Sequence, residues 1–394
     1  MKIVYLHHAN VCKGGIERML AQKANLLAEQ MGWEVVLLTY EQNGEPFPFD
    51  LSPKVRQVDL GVRLYSAFRY TYPLRLFKKK RLRSQLSLLM KDFLVEHNPD
   101  VVVSTDKDGG ELSVLYAAVR AMERETGKKR CRLIVEAHTG FVDHEMQIRR
   151  AESFQKRLVA AWSLRKLKEI ISKYDVLVAL TADDAQRWNP FIRTTVIPNF
   201  LSYHPTPQDG HPEEHKRIVA VGRLDYQKGY DLLLRAWLKV EQAHPDWHLD
   251  IFGDGEEKPK LLSQMAAEGL RNVTFHPVTT NIYSEYRKSD FLVCSSRWES
   301  FGLVLIEAMA CGIPAVSFDC DNGPRNIIAD GEDGLLVKKC DVEELAVTVC
   351  RMIEHKDMRL RMGAAACKNI TRFQEKTIFE QYLAFLTKEV GSES

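Results

Sequence analysis

The stretch Ser296-Arg297-Trp298-Glu299-Ser300-Phe301-Gly302-Leu303-Val304-Leu305-Ile306-Glu307-Ala308-Met309-Ala310-Cys311-Gly312 decides how the chain is read. Just before it, Phe291–Cys294 is a short apolar run of strand type, and Pro314–Phe318 just after it is another. Between them lie a loop and a helix that starts near Phe301-Gly302. Strand, loop, helix and strand in that order make one unit of a parallel α/β sheet. Two carboxylates, Glu299 and Glu307, bracket the helix start at a spacing of eight residues. At ~1.5 Å of rise per residue, that spacing corresponds to ~12 Å if fully helical. A retaining glycosidase pair stands only ~5–5.5 Å apart. The two carboxylates therefore read as grips on the ends of one extended ligand. The helix N-terminus between them offers N–H groups and a positive dipole end to a diphosphate. Glu307 sits in an otherwise apolar helix and needs a polar partner, a need that ribose hydroxyls would meet. The same residues also fit a surface Glu299 and a Glu307 satisfied by backbone, and spacing alone leaves both readings open.

Moving toward the N-terminus, Val221-Gly222-Arg223-Leu224-Asp225-Tyr226-Gln227-Lys228-Gly229 lies between an apolar run, Ile218–Val221, and a helical pattern, Leu232–Ala243. Arg223 and Lys228 thus occupy a loop at the carboxyl end of a strand, where open α/β sheets bind ligands. A planar guanidinium fork and an ammonium point charge both suit a diphosphate, though two solvated cations would look the same. Gly14-Gly15-Ile16-Glu17-Arg18 follows the first strand, Lys2–His8, and paired glycines let backbone approach a ligand closely. Neither this pair nor Gly253-Asp254-Gly255 completes the dinucleotide fingerprint, which argues against a dehydrogenase.

Strand-like runs recur at Val35–Thr39, Val101–Ser104, Leu133–Ala137, Val176–Leu180, Leu249–Phe252 and Val273–His276. They alternate with helical patterns on both sides of the middle, which predicts two Rossmann-like domains. Ile197-Pro198-Asn199 followed by Pro205, Pro207, Gly210 and Pro212 reads as the junction. The expected layout is residues 1–198, a linker 199–216, a second domain 217–372, and a terminal helix 373–394 that packs back toward the first domain.

The chain has 394 residues, 45% hydrophobic and 27% charged, an ordinary globular composition with a formal net charge of +2. That balance gives no case for nucleic acid. The charge is unevenly shared, however: residues 1–198 carry 32 Lys and Arg against 23 Asp and Glu, and the remainder carries 23 against 30. Between Asp59 and Asp92 there is no acid, while Arg63, Arg69, Arg75, Lys78, Lys79, Lys80, Arg81, Arg83 and Lys91 are interleaved with Tyr65, Phe68, Tyr70, Tyr72 and Phe77. Cations with aromatics suit an anionic membrane surface, a solvated helix face or a polyanionic acceptor. A second basic stretch, Arg149 to Lys168 around Trp162, reads first as a solvated helix face and otherwise as a membrane or lipid-phosphate contact. The eight Cys include no CxxC pair and no zinc-ligand spacing, and they read as reduced core thiols of a cytoplasmic protein. The apolar start, Met1 to Leu6, is too short for a signal peptide, and the most apolar segment, Phe301–Cys320, is broken by Glu307, Gly312 and Pro314.

With these motifs in hand, the chain resembles a family 4 retaining glycosyltransferase of GT-B fold. The motifs that carry the resemblance are Gly14-Gly15-Ile16-Glu17-Arg18, His138 in Glu136-Ala137-His138, Ile197-Pro198-Asn199, Gly222-Arg223-Leu224-Asp225 with Lys228-Gly229, Gly253-Asp254-Gly255, Glu299 with Glu307, and Asn322-Gly323-Pro324-Arg325. The resemblance implies two Rossmann-like domains facing across a cleft. It implies that Arg223 and Lys228 hold the donor diphosphate, aided by the backbone of Phe301, Gly302 and Leu303. Glu307 would take the ribose hydroxyls, Glu299 and His138 the donor sugar, Gly15 the distal phosphate, and the strand end at Pro277 the base. A nucleotide sugar, most commonly a UDP-sugar, would be a substrate and not a cofactor, and no metal is expected. The Asp-x-Asp patterns Asp106-Lys107-Asp108 and Asp319-Cys320-Asp321 then read as loop acids. Retention by same-face attack would use the leaving phosphate oxygen to take the acceptor proton. The basic stretch adds an expected lipid-linked or surface-polysaccharide acceptor and a peripheral place on the inner face of the plasma membrane, through Arg63–Lys91. Asn326 stands where such relatives often have Glu, and Pro277 or Val278 replaces a family glycine. A soluble transferase making a small glycoside, a sugar-nucleotide epimerase, and a noncatalytic glycan- or membrane-binding module on the same fold are the alternatives.

Overall fold

A computed structural model describes residues 1–11, 14–71, 73–105, 108–127, 130–201 and 214–391. It resolves into two compact units. The first comprises residues 1–180, 184–197 and 379–394, and the second comprises 181–183 and 198–378. Most of the expected linker, 202–213, lies outside the described residues, as do Asp106 and Lys107. The terminal helix divides between the units, with everything from Phe379 onward in the first.

In the first unit, seven strands are described: β1 (Lys2–Leu6), β2 (Glu34–Thr39), β3 (Val55–Asp59), β4 (Val101–Ser104), β5 (Arg132–Ala137), β6 (Val176–Ala179) and β7 (Thr194–Val196). They form one parallel sheet in the order β3-β2-β1-β4-β5-β6-β7. Residues such as Val101-Val102-Val103 are buried throughout, as a strand covered on both faces requires. The connecting helices are α1 (Gly15–Gln30), α2 (Leu74–His97), α3 (Gly109–Thr126), α4 (Phe141–Arg149), α5 (Phe154–Ile171) and α6 (Ala182–Trp188). Strand order reverses between β1 and β4, so the loops after these strands open at a switch point.

The second unit repeats the design with β8 (Arg217–Val221), β9 (His248–Phe252), β10 (Val273–His276), β11 (Phe291–Cys294), β13 (Ala315–Asp319) and β15 (Gly334–Lys338), ordered β10-β9-β8-β11-β13-β15 and parallel. A separate two-residue pairing joins β12 (Trp298–Glu299) to β14 (Asp321–Asn322). Its helices are α7 (Tyr230–Ala243), α8 (Lys258–Ala267), α9 (Ile282–Arg287), α10 (Leu303–Ala310), α11 (Gly323–Ile327), α12 (Val342–Glu354) and α13 (Lys356–Asn369), followed by α14 (Glu375–Gly391). Here the order reverses between β8 and β11, the two strands that carry Lys228 and Glu299 on their following loops.

Three sequence expectations need correction. Cys340 is exposed and Cys350 and Cys367 are half-buried, so not every thiol is a core thiol. Asp321 is a strand residue of β14, and its pair Asp319 ends β13. The second unit also takes in Pro198 and runs on to Ile378, beyond the expected 217–372. Among the described residues no helix is long and apolar enough to cross a membrane.

Candidate active site

At the switch point of the second unit, the chain leaves β8 through Gly222 and makes a tight loop against β9. A side chain on Gly253 would place its Cβ 2.0 Å from the Gly222 carbonyl oxygen, and one on Gly255 would stand 2.5 Å from that of Leu224. Both glycines also take positive φ. Gly253-Asp254-Gly255 therefore serves close backbone packing: Leu224 N–H donates to the Asp254 carbonyl, and Glu257 N–H to that of Leu224. This packing fixes the loop that presents Arg223 and Lys228.

Lys228 and Glu299 are brought together. The Lys228 ammonium donates to Glu299 Oε2 at 2.6 Å, and Ser296 Oγ donates to the same oxygen at 3.0 Å. Both charged side chains are nearly buried. Burial alone would depress the ammonium, but the Glu299 carboxylate beside it outweighs burial and holds the Lys228 pKa above its ordinary value. Gly302, with φ of 101°, caps α10, so Phe301, Gly302 and Leu303 turn into a helix N-terminus next to Glu299. The first N–H groups of such a helix have no intrahelical acceptor. Arg223 stands apart, its side chain 74% exposed, within 3.2 Å of Asp225 and 3.5 Å of Gln227.

Glu307 is buried in α10 and accepts a hydrogen bond from Tyr286 of α9 at 3.3 Å. Tyr286 in turn is buried against that charge, which with desolvation holds its phenol protonated. Pro277 sits exposed at the carboxyl end of β10, and His276 before it stacks on Phe252 and contacts Asp250 at 2.5 Å. Asn322-Gly323-Pro324-Arg325 leads from β14 into α11, which packs against α10. A Cβ on Gly323 would lie 2.1 Å from the Phe301 carbonyl oxygen, so this glycine permits contact with the start of α10. The two acids of the second Asp-x-Asp pattern are each paired with a cation, Asp319 with Arg325 and Asp321 with Lys339. Among the described residues no group of three or more His, Cys, Asp or Glu is placed to hold a metal ion.

The first unit places its predicted residues differently. Gly15 is the first residue of α1, with Gly14 as its cap. His138 follows β5 and turns inward, lining a small recess with Thr105, Thr139, His144 and Trp188. Its Nε2 lies 3.1 Å from Glu136 Oε2. Desolvation lowers the His138 pKa despite that carboxylate, so the ring is neutral near pH 7; Nε2 then carries the proton that Glu136 accepts. The remaining members of this cluster escaped the sequence reading. The Lys23 ammonium donates to Glu136 Oε2 at 2.8 Å, and the Tyr382 hydroxyl donates to Glu136 Oε1 at 2.7 Å. Tyr5 and Tyr382 share a hydrogen bond at 2.8 Å, and Lys23 also lies over the Tyr382 ring. Lys23 left a signal: it falls on the buried stripe Met19, Leu20, Ala24 and Leu27 of α1, where an unpaired cation is untenable.

Two parallel α/β units, each opening its loops at a switch point, have the architecture of the GT-B class. Comparison with known proteins agrees. Residues 13–204 match the model for Glycosyltransferase Family 4, and residues 206–369 match that for Glycosyl transferases group 1. The chain belongs to this glycosyltransferase family. It is 27% identical to an uncharacterized glycosyltransferase of Haemophilus influenzae, over 89% of this chain and 90% of that one. It is 26% identical to an amylovoran biosynthesis glycosyltransferase of Erwinia amylovora, over 94% and 95% of the two chains. The crystal structure of the Anabaena protein HepE in complex with UDP-glucose superposes with a TM-score of 0.71 at 20% identity, covering 98% of this chain and 100% of that one.

Proposed function

We propose that this glycosyltransferase moves a sugar, with retention of anomeric configuration and without a metal, from a UDP-sugar to a hydroxyl of a lipid-linked or surface-polysaccharide glycan. The observation that carries the reading is the Lys228–Glu299 pair beside the N-terminus of α10. A diphosphate entering there meets a cation already desolvated and fixed, so little reorganisation is needed as charge develops. Lys228 and Arg223 take the diphosphate, with Arg223 folding in from solvent, and the N–H groups of Phe301, Gly302 and Leu303 complete the cradle. Glu307 accepts from the ribose hydroxyls, Pro277 lies against the base, and Glu299 holds the sugar. From the first unit, Gly15 is assigned to the distal phosphate and His138 to the donor sugar.

In the reaction the bond from the anomeric carbon to the diphosphate oxygen breaks and one to the acceptor oxygen forms on the same face. The acceptor proton passes to the leaving phosphate oxygen, so no covalent glycosyl-enzyme is needed. The cationic cradle stabilises the departing diphosphate. The UDP assignment is supported by a structural neighbour that binds UDP-glucose, and the glycan acceptor by a relative named for amylovoran biosynthesis. A peripheral, cytoplasmic-face association with an anionic membrane through the region Arg63–Lys91 is part of the proposal. Its support is the acid-free, cation-rich first half of α2, where Lys80 and Arg81 are exposed near Phe77, itself 70% exposed.

The test is turnover of UDP-sugars with lipid-linked acceptors in the presence of a chelator, followed by NMR of the product's anomeric proton. An inverted product, or activity restored only by a divalent ion, refutes the mechanism.

A further inference from the structure

The helix α5 presents a feature that the proposed site does not use. Its second half packs inward through Leu164, Leu167, Ile170 and Ile171. Its first ten residues, 154–163, are largely exposed: Phe154 is 74% exposed, Leu158 54%, Val159 63% and Trp162 61%. At roughly 100° per residue, Phe154, Leu158 and Trp162 fall on one stripe, about 160° around the helix from the buried set. The stripe is therefore no continuation of the core-facing side. It points away from the unit.

Position along the helix matters as much as direction. The start of α3 abuts the last third of α5, where a Cβ on Gly109 would stand 3.1 Å from Leu167 Cα. The ten largely exposed residues before Leu164 span roughly 15 Å at 1.5 Å per residue, and α4 as well as α3 packs against α5. In α2 the contact with the start of α3 falls at Arg83, which lies against Gly110 and pairs with Asp108, and the turns of α2 before it come first in the chain. These turns carry Leu74 and Phe77, both exposed. These helices run from the carboxyl edge of the sheet, the edge where His138 follows β5.

Charge identifies the occupant. From Ser153 to Lys168 the sequence holds Lys156, Arg157, Arg165, Lys166 and Lys168 and no acid; Glu152 and Glu169 at its ends pair with Lys156 and Lys166, and Arg149 and Arg150 precede the stretch, exposed. A protein partner for an apolar stripe needs no such excess of cations; a bilayer with anionic headgroups matches both features, apolar side chains entering at headgroup depth and cations meeting phosphates.

We propose that Phe154, Leu158 and Trp162 insert into an anionic bilayer as an interfacial anchor, with Leu74 and Phe77 of α2 as a second point of entry. This rests on the membrane partner proposed above and adds an apolar component to it. Two points at the carboxyl edge would orient that edge, with His138, toward the membrane surface.

The experiment uses the full chain and vesicles of phosphatidylcholine with about one-third phosphatidylglycerol. Cosedimentation is measured at low salt and at ~0.5 M salt, where exposed ion pairs are screened within a few ångströms. Trp162 is the exposed tryptophan, since Trp188, Trp237, Trp247 and Trp298 are buried and Trp33 half-buried. A blue shift of emission on vesicles that disappears in Trp162→Phe, with part of the binding resistant to salt, supports insertion. Each of Phe154→Ser, Leu158→Ser and Trp162→Ser should weaken vesicle affinity roughly tenfold. These variants should keep the wild-type circular dichroism and donor-induced thermal shift, because the side chains are exposed. Binding that salt abolishes fully, or that the three substitutions leave unchanged, overturns the anchor while leaving α2 as an electrostatic contact. A dimer in solution that the substitutions dissolve would show that a second copy covers the stripe, and also overturns it. Absence of wild-type binding to any vesicle removes the membrane partner altogether, with the donor thermal shift still standing as a separate test of the transferase.

Discussion

Replacing Lys228 by Met isolates the charge on which the donor site depends. At 2.6 Å from Glu299, with an effective dielectric constant of ~20, the pair is worth about 6 kcal/mol in Coulomb terms. Desolvation of both partners cancels part of this, and breaking a buried pair from one side costs ~3–5 kcal/mol, because the other charge is left uncompensated. Ser296 keeps one hydrogen bond to Glu299, which favours the low end of that range. Lys228→Met should therefore melt at lower temperature, and adding Glu299→Gln should recover most of the loss by removing the orphaned charge. Donor binding should not recover. A charge-assisted contact to the diphosphate is worth ~1.5–3 kcal/mol, so both variants should bind UDP-sugar about 10- to 150-fold more weakly by calorimetry. Recovery of stability without recovery of affinity, with Glu299→Gln alone binding donor more tightly than the double variant, is the signature of a cation that serves the donor. If the double variant regains wild-type donor affinity, or if the single variant loses stability but binds within twofold, then Lys228 only neutralises Glu299 and the diphosphate lies elsewhere.

Other outcomes follow from the same geometry. Glu307→Gln keeps the acceptor for Tyr286 but loses the charge offered to ribose, so steady-state kinetics should show donor KM raised about tenfold with kcat little changed; the reverse pattern contradicts the assignment. Tyr382→Phe leaves Glu136 short of a buried donor and should cost ~1–3 kcal/mol in urea unfolding, since it also cuts the tie between α14 and β5. Burial, with Asp108 nearby, pushes the Glu111 carboxyl up to about 7. A carboxyl with a raised folded pKa weakens the fold as pH rises from 4.5 to about 7, because the unfolded chain releases its proton first. Glu111→Gln removes that dependence, so its unfolding free energy should match the wild type at pH 4 and exceed it by on the order of 2–3 kcal/mol at pH 8.

Most of the fold was legible because buried parallel strands are continuous apolar runs: Val101–Ser104 and Phe291–Cys294 need no partner to be recognised. Most strands that the reading missed are polar or marginal, although the apolar β15, Gly334–Lys338, was missed as well. β3 reads Val-Arg-Gln-Val-Asp at a sheet edge, largely exposed, and β7 is three half-buried residues at the other edge. The pairing of β12 with β14 is two residues long, and no periodicity exists at that length. In the site, the spacing of Glu299 and Glu307 suggested two grips on one ligand, yet it could not show that Lys228 meets Glu299, because their loops follow different strands, brought together by topology alone. Tyr382 was hidden for the same reason: it reaches Glu136 from 246 residues away. His138 was found by motif, but its inward orientation depends on Lys23 and Tyr382, which no local pattern links to it.

The central claim is that the switch-point loops of the second unit bind the diphosphate of a nucleotide sugar. Its most direct test is thermal stabilisation of the purified protein against UDP-, GDP-, ADP- and dTDP-sugars, with Lys228→Met alongside. A ligand at a hundredfold excess over its Kd stabilises the native state by ~2.7 kcal/mol. The account predicts a shift with UDP-sugars that is largely lost in the variant. A shift of equal size in the variant, or none with any donor at millimolar concentration, would contradict it.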